Sequence, residues 1–195
     1  MENKSKAQKF DTKKITGLAL LTAVVVVLQV LTTVVGRLGF FSFTIALVPI
    51  VVGAALYGWK AGAWLGFVFG ALTLIDAGAF FAVNIPGTII TCLVKGTMAG
   101  LMAGIVYRLL AKKNRLVAVI AAAVTAPIMN TGFFIIGCLL FFMDFVSQLA
   151  GGTDVFVFIL VGLVGINFFI ELGVNLVLSP TIVRLIGLGK SKASS

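Results

Sequence analysis

The sequence predicts an all-α integral membrane protein: one domain over residues 1–195, built as a bundle of six transmembrane helices with both termini in the cytoplasm. Three observations lead there. The chain is 61% hydrophobic and 11% charged, with a mean hydropathy of +1.20, whereas a soluble domain is about half apolar and a quarter charged. Apolar runs at 15–35, 44–57, 61–75, 85–107, 116–143 and 155–186 are separated by short breaks and approach the length needed to cross a bilayer. Finally, the basic residues sort to one side if there are six crossings.

The elements follow in order. Residues 1–14 form a basic tail (Lys4, Lys6, Lys9, Lys13, Lys14), too long and too charged for the start of a signal peptide, so the first helix is expected to be retained. The loop after it, VGRLGFFSF, carries Arg37. It reads either as an interfacial arginine among headgroup-level phenylalanines or as a cationic latch over a pocket. The second and third runs are short, and YGWK at 57–60 divides them. Were 44–75 one bent segment, the count would be five. Charge favours six. With the N-terminus inside, six crossings place the tail, Lys60, the cluster Arg108, Lys112, Lys113 and Arg115, and the terminal Arg184, Lys190 and Lys192 in the cytoplasm, leaving only Arg37 and Lys95 elsewhere, as the positive-inside rule requires. Asp76, Asp144 and Asp154 then fall outside. The bundle occupies 15–187, and 188–195 is a cytoplasmic tail.

Glycines recur every fourth residue at Gly58, Gly62, Gly66 and Gly70, and again at Gly96, Gly100 and Gly104. Such faces let helix backbones approach closely where lipid supplies no hydrophobic drive, either within this chain or toward a partner protein.

Composition also excludes functions. The chain has no histidine, which removes imidazole metal centres, histidine bases and histidine-ligated haem. No catalytic residue, metal ligand or cofactor site is expected. Cys92 and Cys138 lie inside apolar runs and read as small core residues. Ser42, Ser147 and Ser179 have no evident base beside them, which argues against an enzyme. The sorting of the +9 charge to membrane-flanking segments points to lipid rather than nucleic acid. There is no GxxxxGK[ST] and no GxGxxG between strand and helix.

Polar residues at depth carry the functional signal. In the fourth helix Asn84, Thr88, Thr91 and Lys95 are spaced by four, three and four residues, forming one stripe running inward from the outer end. In the sixth, Asn167, Glu171 and Asn175 share a stripe, and Asn130 and Thr131 follow Pro127 in the fifth. At about 1.5 Å per residue, Lys95 lies roughly 15 Å deep and Asn167 roughly 18 Å, with Glu171 a turn deeper. Intramembrane charges are costly and have a partner or a task. Two readings are open: a structural network in which Lys95 and Glu171 neutralise each other, or a polar pocket open to the outside that binds a hydrophilic solute. The stripe leading to Lys95 favours the pocket. A self-sufficient secondary carrier or channel is the alternative function, but the two halves show no inverted repeat.

Several stretches resemble the substrate-binding S components of energy-coupling factor (ECF) transporters. They are a first helix with Ala19-x-x-x-Ala23, the run FTIALVPIVVGAALYGWKAGAWLGFVFG, LVKGTMAGLMAGIVYRLL and the closing NFFIELGVNLVLSP. The likeness spans about residues 15–187. It implies a multi-pass plasma-membrane subunit of an ECF-type ABC importer that captures a water-soluble vitamin near the outer face, with the loop between the first two helices as lid. Ala19 and Ala23 would then contact the transmembrane coupling subunit, itself driven by two cytoplasmic ATPases, and the whole subunit would topple in the membrane. Within that family Trp59 and Trp64 map to the inner side, away from a stacking role. Arg37 and Lys95 suit an anion, so pantothenate is preferred and riboflavin comes next.

Overall fold

The computed structural model describes the backbone of residues 2–37 and 45–191, and the side chains of 12–36, 45–165, 167–181, 183 and 184. All regular structure among the described residues is helical: α1 (Glu2–Arg37), α2 (Leu47–Tyr57), α3 (Trp59–Thr73), α4 (Gly78–Val83), α5 (Ile85–Leu110), α6 (Arg115–Phe141), α7 (Met143–Ala150), α8 (Val155–Val157) and α9 (Ile166–Ser191). A 3-10 turn (Leu74–Asp76) joins α3 to α4, and a π-helix (Phe158–Gly165) joins α8 to α9.

Local chemistry sets the boundaries. Asn84 caps α5 by accepting from the Gly87 N–H at 2.9 Å, and Pro86 occupies the first turn, where its missing donor costs nothing. Asn114 caps α6 through the N–H groups of Leu116 and Val117. Asp154 caps α8 in the same way. At Gly58, φ is 94°, a backbone that favours glycine, and the chain reverses there: positions facing one another across the turn are Gly53 with Leu65 and Ala54 with Gly62. YGWK therefore separates two helices that pack side by side, rather than bending one.

Thr12–Gly36, Ile85–Leu110 and Arg115–Phe141 are each long and apolar enough to cross a bilayer, and a fourth span is possible if Met143–Ala150 and Val155–Gly165, which meet at 92°, count as one. With 11 and 15 residues, α2 and α3 extend about 16 and 22 Å, short of a core about 30 Å thick.

The two glycine stripes face each other. A Cβ on Gly62 would strike the carbonyl of Gly100, one on Gly66 the carbonyl of Gly96, and one on Gly104 the Cα of Trp59 at 2.6 Å. The close approach is thus internal, between α3 and α5. The remaining core lies in three patches. At one end Tyr107, Ala118, Val119 and Val52 pack with Leu56 and Val183; the middle holds Leu47, Ile50, Leu65 and Phe69; at the other end Cys138, Phe142, Val146 and Ile159 gather. The first end carries the α2–α3 turn and the α5–α6 loop, hence Lys60, Arg108, Lys112, Lys113 and Arg115, with Arg184 one residue past Val183. At the opposite end Asp76 closes the 3-10 turn, Asp144 lies in the first turn of α7 and Asp154 caps α8.

Candidate functional site

A cavity of about 630 Å³ opens among α1, α3, α5, α6 and the π–α9 segment, toward the acidic end. Its lining includes Thr88, Thr91, Lys95, Asn130, Asn167 and Glu171, so the stripes on three helices meet. Helical periodicity is the cause: Thr88, Thr91 and Lys95 share one face of α5, and Asn167 and Glu171 one face of α9. Gly137 contributes by omission, since a Cβ there would overlap Thr91.

Lys95 is half-buried, and its Nζ stands 5.2 Å from the centroid of the Phe134 ring, a cation–π distance. Phe134 in turn meets Phe80 edge to face at 5.9 Å, and Phe80 meets Phe142 at 5.0 Å. Among the described residues Lys95 is the only cation in the lining. Glu171 is buried and accepts from Asn130 Nδ2 at 3.5 Å. Asn175 lies a turn beyond the lining, donates to the Glu171 carbonyl at 2.8 Å and accepts at its own carbonyl from Ser179 Oγ at 2.9 Å.

Other expected residues stand apart. Asn84 caps α5 and does not line the cavity. The side chain of Arg37 and the loop 38–44 lie outside the described residues. Ala19 and Ala23 are exposed on α1; the far side of that helix holds the bundle through buried Val25, and its flank through Thr22, whose Oγ1 accepts from Trp64 Nε1 at 3.3 Å.

The structure adds residues that sequence reasoning missed. Gln29, Thr32, Thr33 and Gly36 of α1 line the cavity, at the spacing i, i+3, i+4, i+7 of one helix face. Thr33 Oγ1 donates to Asp76 Oδ2 at 2.6 Å, tying α1 to the end of α3 at the cavity wall. The signal was present: Gln29 is the one amide in the first run, whose other polar side chains are four threonines.

Apolar helices of membrane-crossing length enclosing a polar cavity define a membrane-embedded solute-binding protein. The family model described as "ECF transporter, substrate-specific component" matches residues 13–183, and the chain belongs to that family. Its members are transporter subunits that bind substrate in the membrane, not enzymes. No curated protein and no solved structure matched the chain.

Proposed function

We propose that this subunit captures a small water-soluble vitamin from outside the cell, the carboxylate-bearing pantothenate ahead of riboflavin. The vitamin then passes to a transmembrane coupling subunit powered by two cytoplasmic ATPases. The observation that carries the choice is Lys95, the one cation among the described lining residues. In a largely dry pocket a charge-assisted hydrogen bond to a carboxylate is among the stronger single contacts. Pantothenate has one carboxylate, several hydroxyls and no ring. Riboflavin needs open aromatic faces. The nearest rings, Phe80, Phe134 and Phe142, engage one another edge to face, and Phe134 already carries the Lys95 ammonium.

In this reading Thr88, Thr91, Asn130, Asn167 and Glu171 join Lys95 around the ligand, Asn84 sets the start of α5, and Arg37, the last residue of α1, stands where the lid loop begins. The chain crosses the membrane six times with its termini and basic end in the cytoplasm, which the gathering of Lys60, Arg108, Lys112, Lys113 and Arg115 at one end supports. The exposed Ala19–Ala23 face suits close approach by a helix of the coupling subunit. The test is mass spectrometry of small molecules retained by the detergent-purified subunit. Pantothenate is expected; recovery of an uncharged compound as the sole ligand would overturn the assignment.

A further inference from the structure

The cavity wall contains two kinds of polar side chain. Thr32, Thr73 and Thr88 spend their hydroxyl donors on carbonyls of their own helices, those of Leu28, Gly70 and Asn84, and Thr33 is tied to Asp76. Three others are left over. Gln29 Oε1 on α1, Thr91 Oγ1 on α5 and Asn130 Oδ1 on α6 have no hydrogen-bond partner, although their residues are only 4%, 6% and 7% exposed. Buried polar atoms are paired in the great majority of cases. Two more unpaired atoms, Tyr107 OH and Asn175 Oδ1, belong to residues outside the lining; the residues that carry the three named here all line one cavity, from three different helices.

The three have one capacity in common: each offers a lone pair. A carboxylate brings only lone pairs and cannot satisfy the two amide oxygens; at Thr91 it could take the hydroxyl proton but would leave the lone pairs unused. Hydroxyl and amide N–H groups can satisfy all three. Lys95 lies four residues from Thr91 on the same face of α5, about one turn away, and supplies the complementary charge. Asn130 is held in place because its Nδ2 is committed to Glu171, which leaves Oδ1 for another donor.

We infer that Gln29, Thr91 and Asn130 form an acceptor subsite that reads hydroxyl or N–H donors on the ligand, distinct from the anion subsite at Lys95, with Gln29 a specificity-determining residue contributed by α1. This rests on reading the cavity as the ligand site. The ligand consequently binds with one orientation, its anionic end at Lys95 and its donor-bearing portion against α1 and α6.

The test compares each hydroxyl-bearing ligand with a counterpart lacking those hydroxyls: pantothenate with its dideoxy analogue, and riboflavin with lumiflavin. Calorimetry would use the full chain in detergent, with wild type, Gln29→Met, Thr91→Val and Thr91→Ser. The two apolar replacements should weaken the hydroxyl-bearing parent by about tenfold or more, and its counterpart by less than about threefold, as expected when a buried donor loses its acceptor. Thr91→Ser, which keeps the hydroxyl, should retain affinity. Should Gln29→Met fail to fold, the near-isosteric Thr91→Val against Thr91→Ser decides alone. Equal losses for parent and counterpart, or no loss for either, overturn the subsite. If wild type takes riboflavin and not pantothenate, the anion assignment fails while the riboflavin–lumiflavin comparison still judges the acceptors. Binding of neither parent would overturn both.

Discussion

Adding one methyl group to the α3–α5 seam should separate the two helices that frame the cavity. On Gly66 the new Cβ would collide with the Gly96 carbonyl and lie 3.2 Å from the Cα of Thr97; on Gly96 it would meet the Gly66 carbonyl and, at 2.9 Å, the Gly70 nitrogen. Every one of these neighbours is backbone. No rotamer change relieves the overlap, so the helices must part and their contacts loosen. Overpacking of this kind costs about 1–3 kcal/mol, while alanine regains about 1 kcal/mol of helix propensity over glycine. The expected net loss for Gly66→Ala is therefore up to about 2 kcal/mol, a fall in Tm of up to about 8 °C for a chain of this size, and about 1–3 kcal/mol against a glycine-to-alanine change that has room for the methyl group. Gly132→Ala, where nothing lies within 4 Å of the added carbon, serves as control and should be neutral or stabilising. The double variant Gly66→Ala with Gly96→Ala should lose less than the two single losses combined, since one separation accommodates both methyl groups. Thermal unfolding in detergent, followed by circular dichroism, measures all four. A Gly66→Ala protein as stable as Gly132→Ala would refute the backbone-contact account of the seam.

Three further outcomes are expected. A cysteine at Lys113, at the basic end, should resist an impermeant thiol reagent in intact cells, while one at Thr153, at the acidic end, should react; labelling at 113 would overturn the six-crossing topology. Ala19→Leu with Ala23→Leu should leave ligand binding by the isolated subunit unchanged and abolish ATP-dependent uptake, because bulky side chains on that exposed face hold a partner helix several ångströms away; normal uptake would refute that docking face. Replacing both Lys95 and Glu171 with methionine should recover stability that either single replacement loses, as removing one charge of a buried set costs more than removing both, yet should not recover ligand affinity.

How much of this was legible in the sequence depended on whether a residue's signal was periodic. The stripe Thr88, Thr91, Lys95 and its counterpart Asn167, Glu171 stood out because polar groups at helical spacing in apolar runs are rare and directional, and the structure brings them to one cavity. The glycine stripes were equally clear, although only coordinates show that they face each other rather than a partner. Gln29 and Thr33 passed unnoticed. Single polar residues in the first run looked tolerable in isolation, and their role depends on how α1 rotates against α3, which no pattern within α1 specifies. Asp76 read as a loop residue, yet it receives the Thr33 hydroxyl. The run 116–143 ends within two residues of the end of α6, but the short α7 beyond it was not legible, because MDFVSQLA is too short and too polar to stand out as an apolar run. The π-helical stretch Phe158–Gly165 was not legible in the sequence, where its residues read as one apolar run; in the fold Ile159 and Val164 pack with Phe142 and Val146.

The most direct test of the central claim is a calorimetric titration of the isolated subunit with pantothenate and with its uncharged alcohol, pantothenol, for wild type and Lys95→Met. With Lys95 as the carboxylate partner, Lys95→Met should lose about 10- to 100-fold in affinity for pantothenate, the range of a hydrogen bond to a charged group, and should bind pantothenol nearly as wild type does. Unchanged affinity for pantothenate in Lys95→Met would contradict the claim and leave Lys95 a structural cation resting on Phe134.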